Sequence, residues 1–430
     1  MTIQAEMKHG SAQHESLTIA REGFRGTFGQ KSAAFKSDRI WSAFRERGSL
    51  LWLDTGDVRE ACGIWSREFT HLTTNTSLVN REAQTGAFDS LIPVAAARLR
   101  EADPDIDRET LVREIGFIIN CRVALRLVEA LDAFVSVGLH PAVANDTVAA
   151  VELARRYHAV CPERFTVKVP QTPAGYLSVR QLAREGIPVN FTMGFSARQN
   201  YLAAIISRPQ FVNLFLGRLT AFAAENGLSN GKNVGEKAAL ATQLALWRLR
   251  EQTGGIGPRL IGASVRDPQQ AINLAGIDGL TIPPRVAHAL HEHLLRNPVA
   301  LPCCAQQAYD VKLLSGVKLE NTGLSTLWTI PEDFCRVVKR LAGDRDALSS
   351  PEHFVDYFAA NGYGDLFRHW TPGERELIRH DGKIPQYARW QYGLRSGALG
   401  LDDIMTTSAL ESFAQDQQQL DCRIRAVIDT

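Results

Sequence analysis

An α/β chain folded as a (β/α)8 TIM-type barrel, with helical extensions at both ends, is what this sequence predicts. Three observations carry the prediction. About eight short apolar runs recur between residues 50 and 283, amphipathic segments separate them, and polar residues gather where the runs end. The runs are mostly continuous rather than alternating, which suits parallel strands buried on both faces. Strand–helix alternation on this scale fits either a doubly wound sheet or a barrel. The number of strands favours the barrel. No GxGxxG follows the first run, which counts against a dinucleotide fold. The polar strand ends point the same way, because that face of a barrel carries the chemistry.

The expected strands, in order, are Leu50–Asp54, His71–Leu78, Ala133–Leu139, Phe165–Pro170, Pro188–Phe195, Phe211–Arg218, Arg259–Val265 and Gly279–Pro283. Between them Ala144–His158, Leu177–Glu185, Ala197–Ile206, Glu236–Thr253 and Pro268–Ala275 carry apolar residues at helical spacing. Residues 1–45 read as a polar N-terminal extension, loose to about residue 32, ending in a lead-in helix that starts near Lys36. Residues 46–343 read as the barrel. Residues 344–430 read as a helical C-terminal extension and a candidate lid. Its helices are expected at Pro351–Asn361, Pro372–Arg379 and Leu410–Ile428, with a polar, aromatic link at Trp390-Gln391-Tyr392-Gly393.

Composition narrows the class of partner. Of 430 residues, 45% are hydrophobic and 22% charged, as in a soluble globular protein. Lys and Arg number 48 against 47 Asp and Glu, and a net charge of +1 gives no case for nucleic acid or an anionic membrane. No apolar run approaches a membrane span, and the polar N-terminus has no apolar segment of the signal-peptide kind. The seven cysteines form no CxxC pair or zinc pattern, so they read as reduced thiols of a cytoplasmic protein. His288, His291 and His293 do not make the HExxH pattern of a zinc protease, and no metal is expected.

The chemistry begins at Lys168, in Phe165-Thr166-Val167-Lys168-Val169-Pro170. An apolar strand pulls a lysine out of water and disfavours its charged form. The neutral amine is a nucleophile able to form a Schiff base with a carbonyl. The competing reading is a lysine snorkelling from a strand end. The company it keeps decides the matter. Asp54 ends the first run, and Thr73-Thr74-Asn75-Thr76-Ser77-Leu78 ends the second. Pro170-Gln171-Thr172-Pro173-Ala174-Gly175 follows the lysine. Asn190 and Thr192 share one face of the fifth strand, as Ser264 and Arg266 do at the end of the seventh. The sixth ends Phe215-Leu216-Gly217-Arg218, and the eighth reads Leu280-Thr281-Ile282-Pro283-Pro284.

Taken in this order, the motifs resemble the transaldolase family from about Leu51 to Pro284. The resemblance implies a barrel with a Schiff-base lysine, and roles for single residues. Lys168 matches that lysine, and Asp54 the aspartate that takes the substrate hydroxyl proton as a carbon–carbon bond breaks. Thr74, Asn75, Asn190, Thr192 and Phe215 match the substrate-binding set. For any one of these polar residues, capping of a strand end is the competing reading, as barrel core is for Phe215. Arg218, Ser264 and Arg266 match the phosphate-binding residues, and paired guanidiniums suit a phosphate dianion. Phosphorylated ketose and aldose substrates follow, with no cofactor. A homodimer is left open.

The third strand departs from the family. Transaldolases commonly read Val-Ser-x-Glu-Val there, with the glutamate working through a water on the Schiff-base proton transfers. This chain reads Val135-Ser136-Val137-Gly138-Leu139-His140-Pro141. His140 is a candidate substitute, since histidine is the residue type able to titrate near neutral pH. The competing reading is a local hydrogen bond before Pro141. Asn213-Leu214 also replaces the usual Ser-Pro, and Thr76 a proline. The expected activity is therefore transfer of a dihydroxyacetone unit between sugar phosphates. The alternatives are a specialised aldolase-type bond former, or a degenerate sugar-phosphate binder.

Overall fold

In a computed structural model that describes residues 3–29 and 35–429, eight parallel strands close into a barrel in sequence order. They are β1 (Leu50–Asp54), β2 (Phe69–Thr73), β3 (Phe134–Gly138), β4 (Phe165–Pro170), β5 (Val189–Gly194), β6 (Phe211–Phe215), β7 (Arg259–Ala263) and β8 (Gly279–Ile282). β1 pairs with β8 from Leu50↔Gly279 to Leu53↔Ile282 and closes the ring. Helices connect the strands, and further helices flank the barrel at both termini. The fold is the (β/α)8 barrel.

Alternation along the strands sorts side chains between two apolar layers. Leu51, Leu53, Val135, Val137, Val167, Val169 and Phe191 are buried beneath the surrounding helices. The other parity fills the barrel. At its lower end His71 stacks on Trp52 (4.3 Å) and on Phe134 (5.0 Å), while Phe211 meets Trp52 edge-on at 5.1 Å. Burial, helped by Arg45 and Arg259, pushes the His71 imidazole down to about 3, so this ring is a neutral plug. Above the plug the inward positions turn polar: Asp54, Thr73, Lys168, Asn190 and Asn213 line an open cleft.

The two expected strands that stop earliest do so because a helix starts inside the run. The run from His71 leaves strand geometry at Thr73, because Asn75 caps a helix over Thr76–Gln84: its Oδ1 accepts from Leu78 N at 3.0 Å. The run from Phe211 ends at Phe215, where a helix over Leu216–Glu225 begins. A polar cap or a helix start inside an apolar run is invisible to a count of apolar residues.

The N-terminal segment is not loose over its described part. A helix spans Ile3–Arg21, and Ala12, Ser16, Ile19 and Ala20 are buried. Those four fall on one helical face, which packs on helices Leu91–Ala102 and Arg108–Leu131. Residues 1, 2 and 30–32 of the expected loose segment lie outside the described residues.

At the other end, Trp390-Gln391-Tyr392-Gly393 is not a link but lies within a helix, Tyr387–Ser396. The last helix starts at Leu401 rather than Leu410 and runs to Ile428. Its first three turns are buried on nearly every side, so they show no amphipathic period. Buried ion pairs bolt it down: Arg198 reaches Asp402 through Nε (2.8 Å) and Nη2 (2.8 Å), and Asp365 at 2.7 Å. Thr406 donates to Met193 O at 3.0 Å, at the end of β5. This helix therefore lies at the barrel mouth. Among the described residues, no helix is long and apolar enough to cross a membrane.

Candidate active site at the barrel mouth

Lys168 occupies the middle of β4, in register with Gly138 on β3 and Asn190 on β5. Only 7% of it is exposed. Its Nζ donates to Thr73 Oγ1 (3.0 Å) and to Thr74 O (3.3 Å), both neutral acceptors. Among the described residues no carboxylate forms an ion pair with it. Burial lowers the lysine pKa, and the charge of Asp54 opposes that only in part. Asp54 lines the same cleft from the end of β1. It keeps some contact with the cleft, but protein surrounds it, and burial raises its pKa against the pull of Lys168, Arg81 and Arg266. Both groups are thus drawn toward neutrality. Those directions suit a nucleophilic amine beside a carboxyl that can exchange a proton.

Polar side chains surround this pair. Asn190 donates to Ser136 Oγ at 3.1 Å, and its Oδ1 is buried without a partner. Thr192 Oγ1 accepts from Asn213 Nδ2 at 2.8 Å. Asn75 lines the cleft and also caps its helix. Thr74 does not line the cleft: its hydroxyl donates to Ser136 O (3.1 Å), and it meets Lys168 only through its carbonyl. Phe215 is both barrel core and cleft wall.

Sequence reasoning passed over Thr73, Ser136, Asn213, Phe413 and Lys383. Strand parity was a usable signal for Thr73, two residues from the inward His71, and for Ser136, two from Gly138. Nothing local marks Phe413 or Lys383, which reach the cleft from the C-terminal extension.

The rim at β6 and β7 carries two arginines, Arg218 and Arg266. Arg218 is 6% exposed, and its Nη1 is buried without a hydrogen-bond partner. Phe413 and Phe215 flank its guanidinium at 5.5 and 5.8 Å. Burial and the like charge of Arg266 push Arg218 down to about 10, with Asp416 opposing, so it remains a cation at neutral pH. Ser264 sits in the left-handed region (φ 63°) at the end of β7. Close packing holds this corner: a Cβ on Gly217 would fall 1.9 Å from Ser264 O and 2.7 Å from Arg266 Cγ.

The rim at β3 differs. A Cβ on Gly138 would meet nothing within 4 Å. Gly138, Leu139, His140 and Pro141 share a small chamber with Lys168, Thr192, Met193, Leu410 and Phe413. The His140 ring caps a short turn, its Nδ1 accepting from Ala142 N at 3.1 Å. Its Nε2 is buried, 3.9 Å from Asp421 on the last helix.

Against known proteins, residues 51–339 match the family described as Transaldolase/Fructose-6-phosphate aldolase. A Xanthomonas euvesicatoria pv. vesicatoria protein named Transaldolase is 29% identical over 248 residues, covering 56% of this chain and 75% of that protein. One of the same name from Yersinia pseudotuberculosis serotype IB is 27% identical over 245 residues, with the same coverage.

Proposed function

The chain belongs to the transaldolase/fructose-6-phosphate aldolase family, and on that premise we propose that it transfers a dihydroxyacetone unit between sugar phosphates. The observation that carries the reading is a buried lysine with only neutral hydrogen-bond partners, in one cleft with Asp54, Arg218 and Arg266. In this reading Lys168 adds to the carbonyl carbon of a phosphorylated ketose. Loss of water from the adduct leaves an iminium. Asp54 accepts the proton of the hydroxyl two carbons from the iminium carbon as the intervening bond breaks. An aldose phosphate leaves, and its bonding pair remains on the lysine-bound three carbons as an enamine. The enamine then adds to an acceptor aldehyde, and water returns the lysine. The iminium is the electron sink, so no step calls for a metal or organic cofactor.

Asn75, Asn190 and Thr192 would hold substrate hydroxyls, and the unpartnered Asn190 Oδ1 supports that role. Arg218, Ser264 and Arg266 would hold the phosphate, and the unpartnered Arg218 Nη1 supports theirs. A cytoplasmic setting fits seven cysteines that are all free. The test is incubation with fructose 6-phosphate and borohydride, then mass spectrometry. An adduct on Lys168, with turnover when erythrose 4-phosphate is added, is expected. An adduct on Lys312 or Lys318 would remove the assignment, and no adduct would favour a protein that only binds a sugar phosphate.

A second reading has an observation of its own. No Cβ occupies the small chamber at Gly138, which adjoins Lys168. A specialised aldolase-type bond former would use the same Schiff base without the glutamate step. It would trap the adduct but turn over fructose 6-phosphate and erythrose 4-phosphate poorly.

A further inference from the structure

Lys383 lies outside the family match at 51–339, yet its side chain lines the same cleft as Arg218, Ser264 and Arg266. Among the described residues its ammonium has no hydrogen bond and no ion pair. The loop that carries it is fixed from three sides. Ser408 on the last helix donates to Gly382 O at 2.9 Å. The Asp381 carboxylate accepts from Gln386 N (3.1 Å), Arg389 Nε (3.0 Å) and Trp390 Nε1 (2.8 Å). Asn226, which caps the helix that carries Arg218, donates to Pro385 O (3.0 Å) and accepts from Tyr387 N (2.8 Å). The cleft it faces holds two further cations, one with an orphaned N–H, and a carboxylate near them, Asp416, is already bonded to Ser77.

We propose that Lys383 is a third cation of the anion subsite, and that the C-terminal extension thereby forms part of the active site and selects substrates ending in a phosphate monoester. The inference rests on the Schiff-base reading for the reaction but not for the binding. In that subsite the ammonium would give a dianion bound to Arg218 and Arg266 a further charge-assisted hydrogen bond. Because the contact is partly exposed, salt weakens it.

The experiment is calorimetric titration of the full chain with inorganic phosphate, which needs no turnover. Lys383→Met is expected to bind phosphate about tenfold more weakly, the scale of one such contact. Lys383→Arg should recover most of the affinity. In kinetics, the preference of Lys383→Met for phosphorylated over unphosphorylated ketose should fall by a similar factor, mainly through KM. Equal phosphate binding by wild type and Lys383→Met overturns the inference, even where the Lys168 adduct forms. If the adduct fails while phosphate affinity still depends on Lys383, the reaction is wrong and the subsite stands.

Discussion

The rim at β6 and β7 and the rim at β3 lie on opposite sides of one barrel mouth, and each turns on a glycine. Gly217 is a contact: a Cβ there would strike Ser264 O at 1.9 Å, and its absence lets Arg266 pack over the turn. Gly138 is a space: a Cβ there would touch nothing. The same residue type thus marks a site held tightly together on one side and a site with room on the other. The difference bears on function. Binding of an anion depends on geometry that the first rim keeps whole. Proton transfer depends on a titratable group, which Gly138 cannot supply. Under the proposed function, the first rim would serve substrate capture, and the second would mark where the proton steps depart from the family's.

Lys168 stands beside both rims, so changing it should have the largest effect. Lys168→Met is expected to abolish the borohydride-trapped adduct and turnover while leaving circular dichroism unchanged; a surviving adduct would move the chemistry elsewhere. Asp54→Asn should lower turnover about 10²- to 10⁴-fold, the scale of a lost general base. It should also act on the lysine. Asp54 raises the Lys168 pKa against burial, so its neutralisation lets that pKa fall further. The free amine then persists to lower pH, and the acid limb of adduct formation should shift toward acid. A shift toward alkali would mean that the two groups do not face each other.

The anion rim comes next. Arg218→Ala or Arg266→Ala should cost on the order of 2–4 kcal/mol in kcat/KM for a phosphorylated ketose, as for one partner of a charge-assisted contact. The loss should be much smaller for the unphosphorylated sugar. Equal losses would make the arginines structural and erase the contrast with β3. On the opposite rim, Gly138→Glu has open space for its Cβ. It should raise turnover of common sugar phosphates by about tenfold, part of what a positioned acid/base group supplies. No gain there, with full wild-type activity, would show that the proton steps run through Asp54 and water alone.

These contrasts were unevenly legible. The barrel could be read because eight apolar runs carry it, and strand burial is a local property of sequence. Lys168, Asp54, Arg218 and Arg266 could be read because each ends or interrupts such a run. Thr73 was passed over for Thr74 although strand parity, counted from the inward His71, points to Thr73. The packed N-terminal helix was read as loose because only a few small or apolar residues mark its buried face. Phe413 and Lys383 come from segments more than 200 residues beyond Lys168 in sequence. Only tertiary packing, through Arg198, Asp402 and Ser408, brings them in.

The smallest expected effect, at His140, separates two roles for the β3 rim. Nδ1 accepts from Ala142 N, so a neutral ring carries its proton on Nε2, the buried nitrogen 3.9 Å from Asp421, and the residue lines a chamber with Lys168. A capping residue and a proton donor make different demands on a substitution. Asparagine keeps a side-chain acceptor for the turn but does not titrate. Alanine removes both functions, and loss of the cap alone costs about 1 kcal/mol of stability. If His140 only caps, His140→Asn should retain the melting temperature and the wild-type pH–rate profile, while His140→Ala loses stability. If it also moves protons, both variants should lose the same inflection in the profile and slow by a similar factor. We expect the second pattern, with a loss of a few-fold, because Gly138 leaves this ring beside the one chamber that lacks the family's acid. An unchanged profile in His140→Asn would make the rim purely structural. The comparison would then rest on the space at Gly138 alone.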